Sequence, residues 1–199
     1  MIPPRQNIRD QNTSEFELIS RLAELCDDVN NSTSGSILTG IGDDASVVST
    51  TAGEILLTTD AMVDGVHFRS KDRRWQDVGW KCAVSNLSDI AAMGGVPDHA
   101  LVTLGVPVDK SPDSYEELYV GMHHAFDKFG GKIVGGDVGS SPVMFINMAI
   151  TGHALTGPNG NPSWMTRDAA RVGDLVCVTG PLGGSSGGLE SLLLSLIHI

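Results

Sequence analysis

The sequence predicts an α+β fold: a sheet carrying helices on one face, followed by the start of a second, α/β domain. Three observations carry this expectation. Strand-like runs alternate with two long amphipathic stretches in the order strands, helix, strand, helix, strands. Both amphipathic stretches stop at glycine pairs, Gly94-Gly95 and Gly130-Gly131. The strongest turn cluster, Gly157-Pro158-Asn159-Gly160-Asn161-Pro162, follows the last strand and marks a domain boundary.

Taken in order, residues 1–13 are polar, contain Pro3-Pro4, and read as a loose leader. Ser14-Glu15-Phe16-Glu17 reads as a capping box, opening a helix with Phe16, Ile19, Leu22 and Leu25 on one face. A Ser/Thr/Asn-rich loop covers 28–36. Strands are expected over 45–48, 55–59 and 62–68, then a helix over 75–93, closed by the glycine pair and Pro97. A strand over 100–106 precedes a helix over 114–129 that turns Tyr115, Leu118, Met122, Ala125, Phe126 and Phe129 inward. Strands over 132–134 and 143–155 complete a domain spanning 14–156.

Beyond the turn cluster, residues 163–193 begin a second domain, with a strand over 174–179, the glycine-rich 180–188 and a stub of helix. That is too little to enclose a core, so the chain is expected to be C-terminally truncated. Residues 194–199 (Leu-Ser-Leu-Ile-His-Ile) resemble the translation of a sequencing-adaptor end and are expected to carry no function.

Composition narrows the function. The 199 residues are 41% hydrophobic and 19% charged, which is globular rather than disordered. The formal charge of −11, from 24 acids against 13 bases, repels nucleic-acid phosphate. No apolar run is long enough for a membrane span, and the N-terminus lacks a signal-peptide core. Cys26, Cys82 and Cys177 form no CxxC pair, which points to a reducing cytoplasm. Of the 24 acids, 17 are Asp, the short carboxylate that suits turns and oxygen ligation of Mg²⁺.

Four acidic clusters stand out: Gly42-Asp43-Asp44, Thr58-Thr59-Asp60, Asn86-Leu87-Ser88-Asp89 and Gly135-Gly136-Asp137. A single Asp beside Gly is ordinary turn chemistry. Asp89 is different, because it sits inside a predicted helix between Leu87 and Ile90 and beside small Ala91 and Ala92. Several Asp at element ends, each beside a glycine or a hydroxyl, fit hard-cation coordination. His67 alone reads as structural, and His123-His124 lacks zinc-ligand spacing. No Walker A, GxSxG, HExxH or protein-kinase signature is present.

The ordered set GIGDDASVV, TTDAMVDGVHF, NLSDIAAMGG, IVGGDV and MTRDAARVGDLVCVTGPLG resembles the thiamine-monophosphate kinase family, of the aminoimidazole-ribonucleotide-synthetase-like superfamily. The likeness runs from about Glu15 to about Leu189. It implies an N-terminal ATP- and Mg²⁺-binding domain and a homodimer. It implies ATP-dependent phosphorylation of thiamine monophosphate, assisted by several magnesium ions. Asp44, Thr58, Thr59, Asp60, Asp89 and Asp137 would hold the metals. Gly136, Asp137 and Arg167 would contact ATP, and His67 the thiamine phosphate. No general base is implied, since the acceptor phosphate is already an anion. The family's later Asp-Leu-Ser-Asp-Gly motif is absent, so the chain itself is expected to be inactive. The rival readings are a sister synthetase, making selenophosphate or aminoimidazole ribonucleotide, and a non-catalytic cation-binding module.

Overall fold

The computed structural model describes residues 37–193, apart from 52, 72, 109 and 110. The leader, the helix expected after Ser14 and residues 194–199 lie outside the described residues. The chain divides into two units, whose described parts are 37–166 and 167–193.

Among its described residues the first unit holds a six-stranded sheet and two helices. Its strands are β1 (Ile37–Thr39), β2 (Ser46–Thr50), β3 (Gly53–Val63), β4 (Gly95–Val106), β5 (Lys132–Ser140) and β6 (Phe145–Ala154). Helix α1 (Trp75–Ala92) joins β3 to β4, and α2 (Pro112–Phe129) joins β4 to β5. The sheet order is β1-β2-β3-β6-β4-β5, with β4 and β5 parallel and the other pairs antiparallel. The α+β expectation holds, and β6 is the strand that binds the two halves together.

Strand β6 shows why. Ile146, Met148, Ile150 and Gly152 are buried while the residues between them are less so, the period of two that a half-buried strand requires. By register, Leu56, Thr58, Asp60 and Met62 of β3 share that face, as do Ala100, Val102 and Leu104 of β4. Helix α1 covers this face with Val78, Cys82, Ala83, Leu87 and Ile90, and α2 packs chiefly on α1 through Leu118, Met122, Ala125 and Phe126. Each fully buried side chain such as Ile90 or Met148 contributes roughly 1.5–3 kcal/mol.

The helices meet at glycines. A Cβ on Gly79 would overlap the Leu118 carbonyl, and one on Gly121 would overlap the Gln76 carbonyl. Helix α2 starts at Ser111, whose side chain accepts from Asp113 N–H ahead of Pro112 in the first turn. It ends where Gly130 N–H returns to the Phe126 carbonyl at 2.8 Å.

Several expectations need correction. The separate strands expected over 55–59 and 62–68 are one strand ending at Val63, because β6 offers β3 partners along its whole length to Phe145. β4 starts at Gly95, so Pro97 lies within a strand; a register shift between Pro97 and His99 accommodates it. Phe129 is 47% exposed rather than inward, lying against Trp80 at the end of α2. β1 was not foreseen.

Among the described residues of the second unit, α3 (Gly184–Leu193) is the one helix or strand. Asp174–Thr179 forms no strand, because a ladder needs a partner and this unit supplies none among its described residues. Residues 163–165 belong with the first unit: Trp164 Nε1 donates to Thr39 Oγ1 at 3.1 Å, and Met165 N–H donates to the Met93 carbonyl at 3.0 Å. Among the described residues no helix is long and apolar enough to cross a membrane.

Candidate metal centre

The candidate site forms where β3 runs past the end of β2 beneath α1. β2 pairs with β3 only as far as Leu57, leaving that edge of Thr58–Val63 without a strand partner from β2. Side chains from α1 and the Asp43-Asp44 turn approach this edge instead. Thr58 Oγ1 donates to Asp89 Oδ2 at 2.9 Å and lies 3.2 Å from the Asp44 carbonyl oxygen. Asp60 N–H donates to Asn86 Oδ1 at 2.9 Å. Asp60 Oδ1 accepts from Ala61 N–H at 2.8 Å, which sets the orientation of its carboxylate.

The GIGDD turn places its two carboxylates differently. Asp43 Oδ1 accepts Asp44 N–H at 3.0 Å, the local bond of a turn former. Asp44 then presents its carbonyl to Thr58. The cluster is therefore built wholly from oxygens: one carbonyl, one hydroxyl and the carboxylates of Asp60 and Asp89.

The thiol of Cys82, one helical turn before Asn86, lies under this cluster. Burial pushes it up to about 12, and the negative charge of Asp60 adds to the effect. Cys82 is therefore a protonated filler rather than a nucleophile.

His67 lies in a tight turn after β3. Val63 N–H donates to its Nδ1 at 3.0 Å, Lys81 Nζ donates to its carbonyl at 2.7 Å, and Asp64 accepts from both Ser70 N–H and Ser70 Oγ. A backbone N–H can only donate, so Nδ1 is an acceptor and the ring proton sits on Nε2. The loop presents an N–H donor on an exposed ring.

Two expected residues lie elsewhere. The strand period sends Thr59 to the opposite face from Thr58 and Asp60, where its hydroxyl bonds Asn147 Oδ1 and the Met148 carbonyl. Asp137 pairs in register with Thr103, which pairs with Asn147, so it also belongs to that opposite face. It stands three strands from β3, about 14 Å at normal spacing. Gly136 beside it has φ +157° and packs so closely on β4 that a Cβ would overlap the Val102 carbonyl. Arg167 belongs to the second unit.

Two features escaped sequence reasoning. Asn86 was read only as part of an acidic motif, yet an uncharged polar residue among apolar helix positions was a visible signal. Arg69, Lys71, Arg73, Arg74 and Lys81 place five of the 13 basic residues just after His67, which charge patterning along the chain would have shown.

The sheet and the oxygen cluster place the molecule in a definite class: residues 42–154 match the family of AIR synthase related proteins, N-terminal domain, and the chain belongs to it. Within that class it is similar to thiamine-monophosphate kinases. It is 37% identical to that of Aquifex aeolicus (strain VF5) over 154 residues, covering 77% of this chain and 48% of the relative. It is 39% identical to that of Rhodopirellula baltica over 157 residues, covering 75% and 48%. The solved structure of AaThiL complexed with AMPPCP and TMP superposes with a TM-score of 0.80 at 32% identity, covering 96% of this chain and 55% of that one. The chain spans about half the length of the relatives it matches.

Proposed function

We propose that the protein works as a thiamine-monophosphate kinase, transferring the γ-phosphoryl group of ATP to the phosphate of thiamine monophosphate. The observation that carries this reading is the convergence of the Asp44 carbonyl, Thr58 hydroxyl and Asp89 carboxylate beside Asp60, in a chain similar to enzymes of that name. The name of the AaThiL complex, with AMPPCP and TMP, supports the same pair of substrates.

The donor set fits magnesium. Among the described residues, no three or more His, Cys, Asp or Glu gather so that they could hold a metal ion by themselves. Mg²⁺ usually takes one or two carboxylates and completes its shell with water and substrate phosphate, so an open oxygen cluster suits it. We assign Asp44, Thr58, Asp60 and Asp89 to this role. Asp137, with Gly136, is a second position for the nucleotide phosphates, where Gly136 lets the backbone approach closely. Arg167 remains our candidate for ATP contact. Thr59 anchors β3 to β6.

The acceptor is a phosphate monoester, largely dianionic at neutral pH, so no side chain need remove a proton from it. The difficulty is bringing two anions together, since like unit charges 4 Å apart repel by roughly 4 kcal/mol at an effective dielectric near 20. Bound Mg²⁺ supplies the countercharge for in-line transfer. The protein's residues hold and orient: Asp60 and Asp89 fix the cation position, and His67 Nε2–H offers a donor to an acceptor-phosphate oxygen. Arg69, Lys71, Arg73 and Lys81 support an anionic substrate beside His67, while Arg74 is paired with Asp77 at 2.8 Å.

We also propose a homodimer and a cytoplasmic setting. The sheet face opposite α1 carries Leu57, Leu101, Phe145 and Ala149, and no element of the first unit covers it among the described residues. Leu101 is 52% exposed there, which supports burial against a second copy. The buried free thiol of Cys82 suits a reducing compartment.

The test is formation of thiamine diphosphate from ATP and thiamine monophosphate by the complete protein across a Mg²⁺ titration. ATP turnover only with selenide, or with the precursor of aminoimidazole ribonucleotide, would assign a sister synthetase instead. Cation binding with no ATP turnover would leave a binding module.

A further inference from the structure

We propose that Asn86 is a positioning residue: its carboxamide takes over where β2 stops pairing with β3 and sets the separation between Asp60 and Asp89. The inference rests on the metal reading given above and names a residue outside that ligand set.

Asn86 is 1% exposed and is the buried polar residue of the described core. Its two ends have different partners of fixed polarity. Asp60 N–H can only donate, so Oδ1 faces it at 2.9 Å; the Cys82 carbonyl can only accept, so Nδ2 faces it at 3.0 Å. The amide orientation follows from the partners, with no alternative that satisfies both. Asp60 lies three residues past Leu57, where pairing with β2 stops. In an uninterrupted sheet a neighbouring strand would take that N–H. Here α1 takes it with a side chain.

The geometry makes this bond one half of a clamp. Asn86 and Asp89 are three apart on α1 and so share a helix face, while Thr58 and Asp60 are two apart on β3 and share a strand face. Asn86 reaches Asp60 and Asp89 reaches Thr58 at the same 2.9 Å. Apolar packing holds α1 on the sheet. These two bonds add two fixed points beside the cluster, and with one of them gone the local positions of Asp60 and Asp89 are tied at a single point. With Asn86 removed, α1 would keep Asp89 on Thr58 but lose its hold on Asp60. The carboxylates of Asp60 and Asp89 would then no longer be held at one spacing.

The experiment measures Mn²⁺ binding to the complete protein, as a probe for Mg²⁺, together with hydrogen exchange at the Asp60 amide. Asn86→Ala removes both arms. Asn86→Ser keeps a hydroxyl able to back-bond to the Cys82 carbonyl four residues earlier but is too short for Asp60, and it serves if the alanine variant does not fold. Met122→Ala, in the α1–α2 packing away from the cluster, is the control for lost stability alone. The expected result is a tenfold or greater weakening of Mn²⁺ binding in the Asn86 variants, with Met122→Ala unchanged. Asp60 exchange should accelerate in the Asn86 variants beyond the other core amides, whereas Met122→Ala accelerates the core amides together. Wild-type Mn²⁺ affinity in a folded Asn86→Ser protein would overturn the proposal, as would equal weakening in Met122→Ala. If the unaltered protein binds no Mn²⁺, the metal reading itself fails. The clamp then stands or falls on Asp60 exchange, which only the Asn86 variants should accelerate beyond the other core amides.

Discussion

The Thr58 hydroxyl on β3 donates to the Asp89 carboxylate on α1 at 2.9 Å, across 31 residues of sequence. One proton serves this bond while the Asp44 carbonyl lies 3.2 Å from the same oxygen, so three chain segments meet on a single hydroxyl. Thr58→Val keeps the shape and β-branching but removes the hydroxyl. A hydrogen bond to a charged group is worth about 1.5–3 kcal/mol, and partial exposure places this one toward the low end. We expect Thr58→Val to lose roughly 1–2 kcal/mol in urea unfolding and at least tenfold in turnover. Thr58→Ser should restore most of both. A valine variant with wild-type kinetics would remove Thr58 from the site.

Asp60→Asn distinguishes a ligand from a turn residue. Asn retains the size and can still accept Ala61 N–H, so the backbone should be preserved. What it loses is one negative charge beside Asp89 and above Cys82. The expected outcome is a folded protein whose turnover falls by orders of magnitude and whose half-saturating Mg²⁺ rises. Stability should hold or increase slightly as acidic repulsion declines. Asp127→Asn, on the exposed side of α2, should change neither quantity. Near-normal turnover of Asp60→Asn at limiting Mg²⁺ would count decisively against the metal assignment.

These two residues also show what the sequence could and could not tell. The helices were legible because their apolar spacing and glycine stops are local, and α1 begins at Trp75 as expected. The clustering of Asp44, Thr58, Asp60 and Asp89 was legible only through the order of their motifs. Thr59 and Asp137 were grouped with them because motif order carries no information on sheet faces. The two-residue period turns Thr59 away, and the strand order places Asp137 across the sheet. Asn86 stayed hidden for a related reason: its partner, Asp60 N–H, becomes available because pairing with β2 ends at the Ser46–Leu57 pair, a fact of pairing length rather than composition.

Cys82 predicts a pH dependence. An unfolded thiol ionises near 9.0, whereas in the folded protein burial pushes Cys82 up to about 12. Between these values the folded chain keeps a proton that the unfolded chain has lost, so stability falls as pH rises above about 9 and the loss is complete near 12. From pH 8 to 10 this amounts to roughly 1 kcal/mol. Cys82→Ala should flatten that part of the curve relative to the wild type. Thiol reagents at pH 8 should modify exposed Cys177 and spare Cys82 until the protein unfolds. Parallel pH curves for the two proteins, or labelling of native Cys82, would contradict the account.

The last prediction concerns the contact that holds α1 over the cluster. Gly79 and Gly121 face each other's helices so closely that a Cβ on either would overlap a backbone carbonyl, of Leu118 or Gln76. Helix propensity favours alanine over glycine by about 1 kcal/mol, so the two effects have opposite signs. Sterics should win, because the obstacle is backbone and cannot rotate away; overpacking of this kind costs about 1–3 kcal/mol. Gly79→Ala and Gly121→Ala should therefore each lower the melting temperature by several degrees. The double variant should lose less than the sum, since helices already pushed apart by one methyl have room for the other. Gly187→Ala in α3, where a Cβ would meet open space, should be neutral or stabilising. Calorimetry of these four variants beside the unaltered protein decides it: stabilisation by Gly79→Ala would show that the helices separate at no cost, and the close crossing would then not be what holds α1 in place.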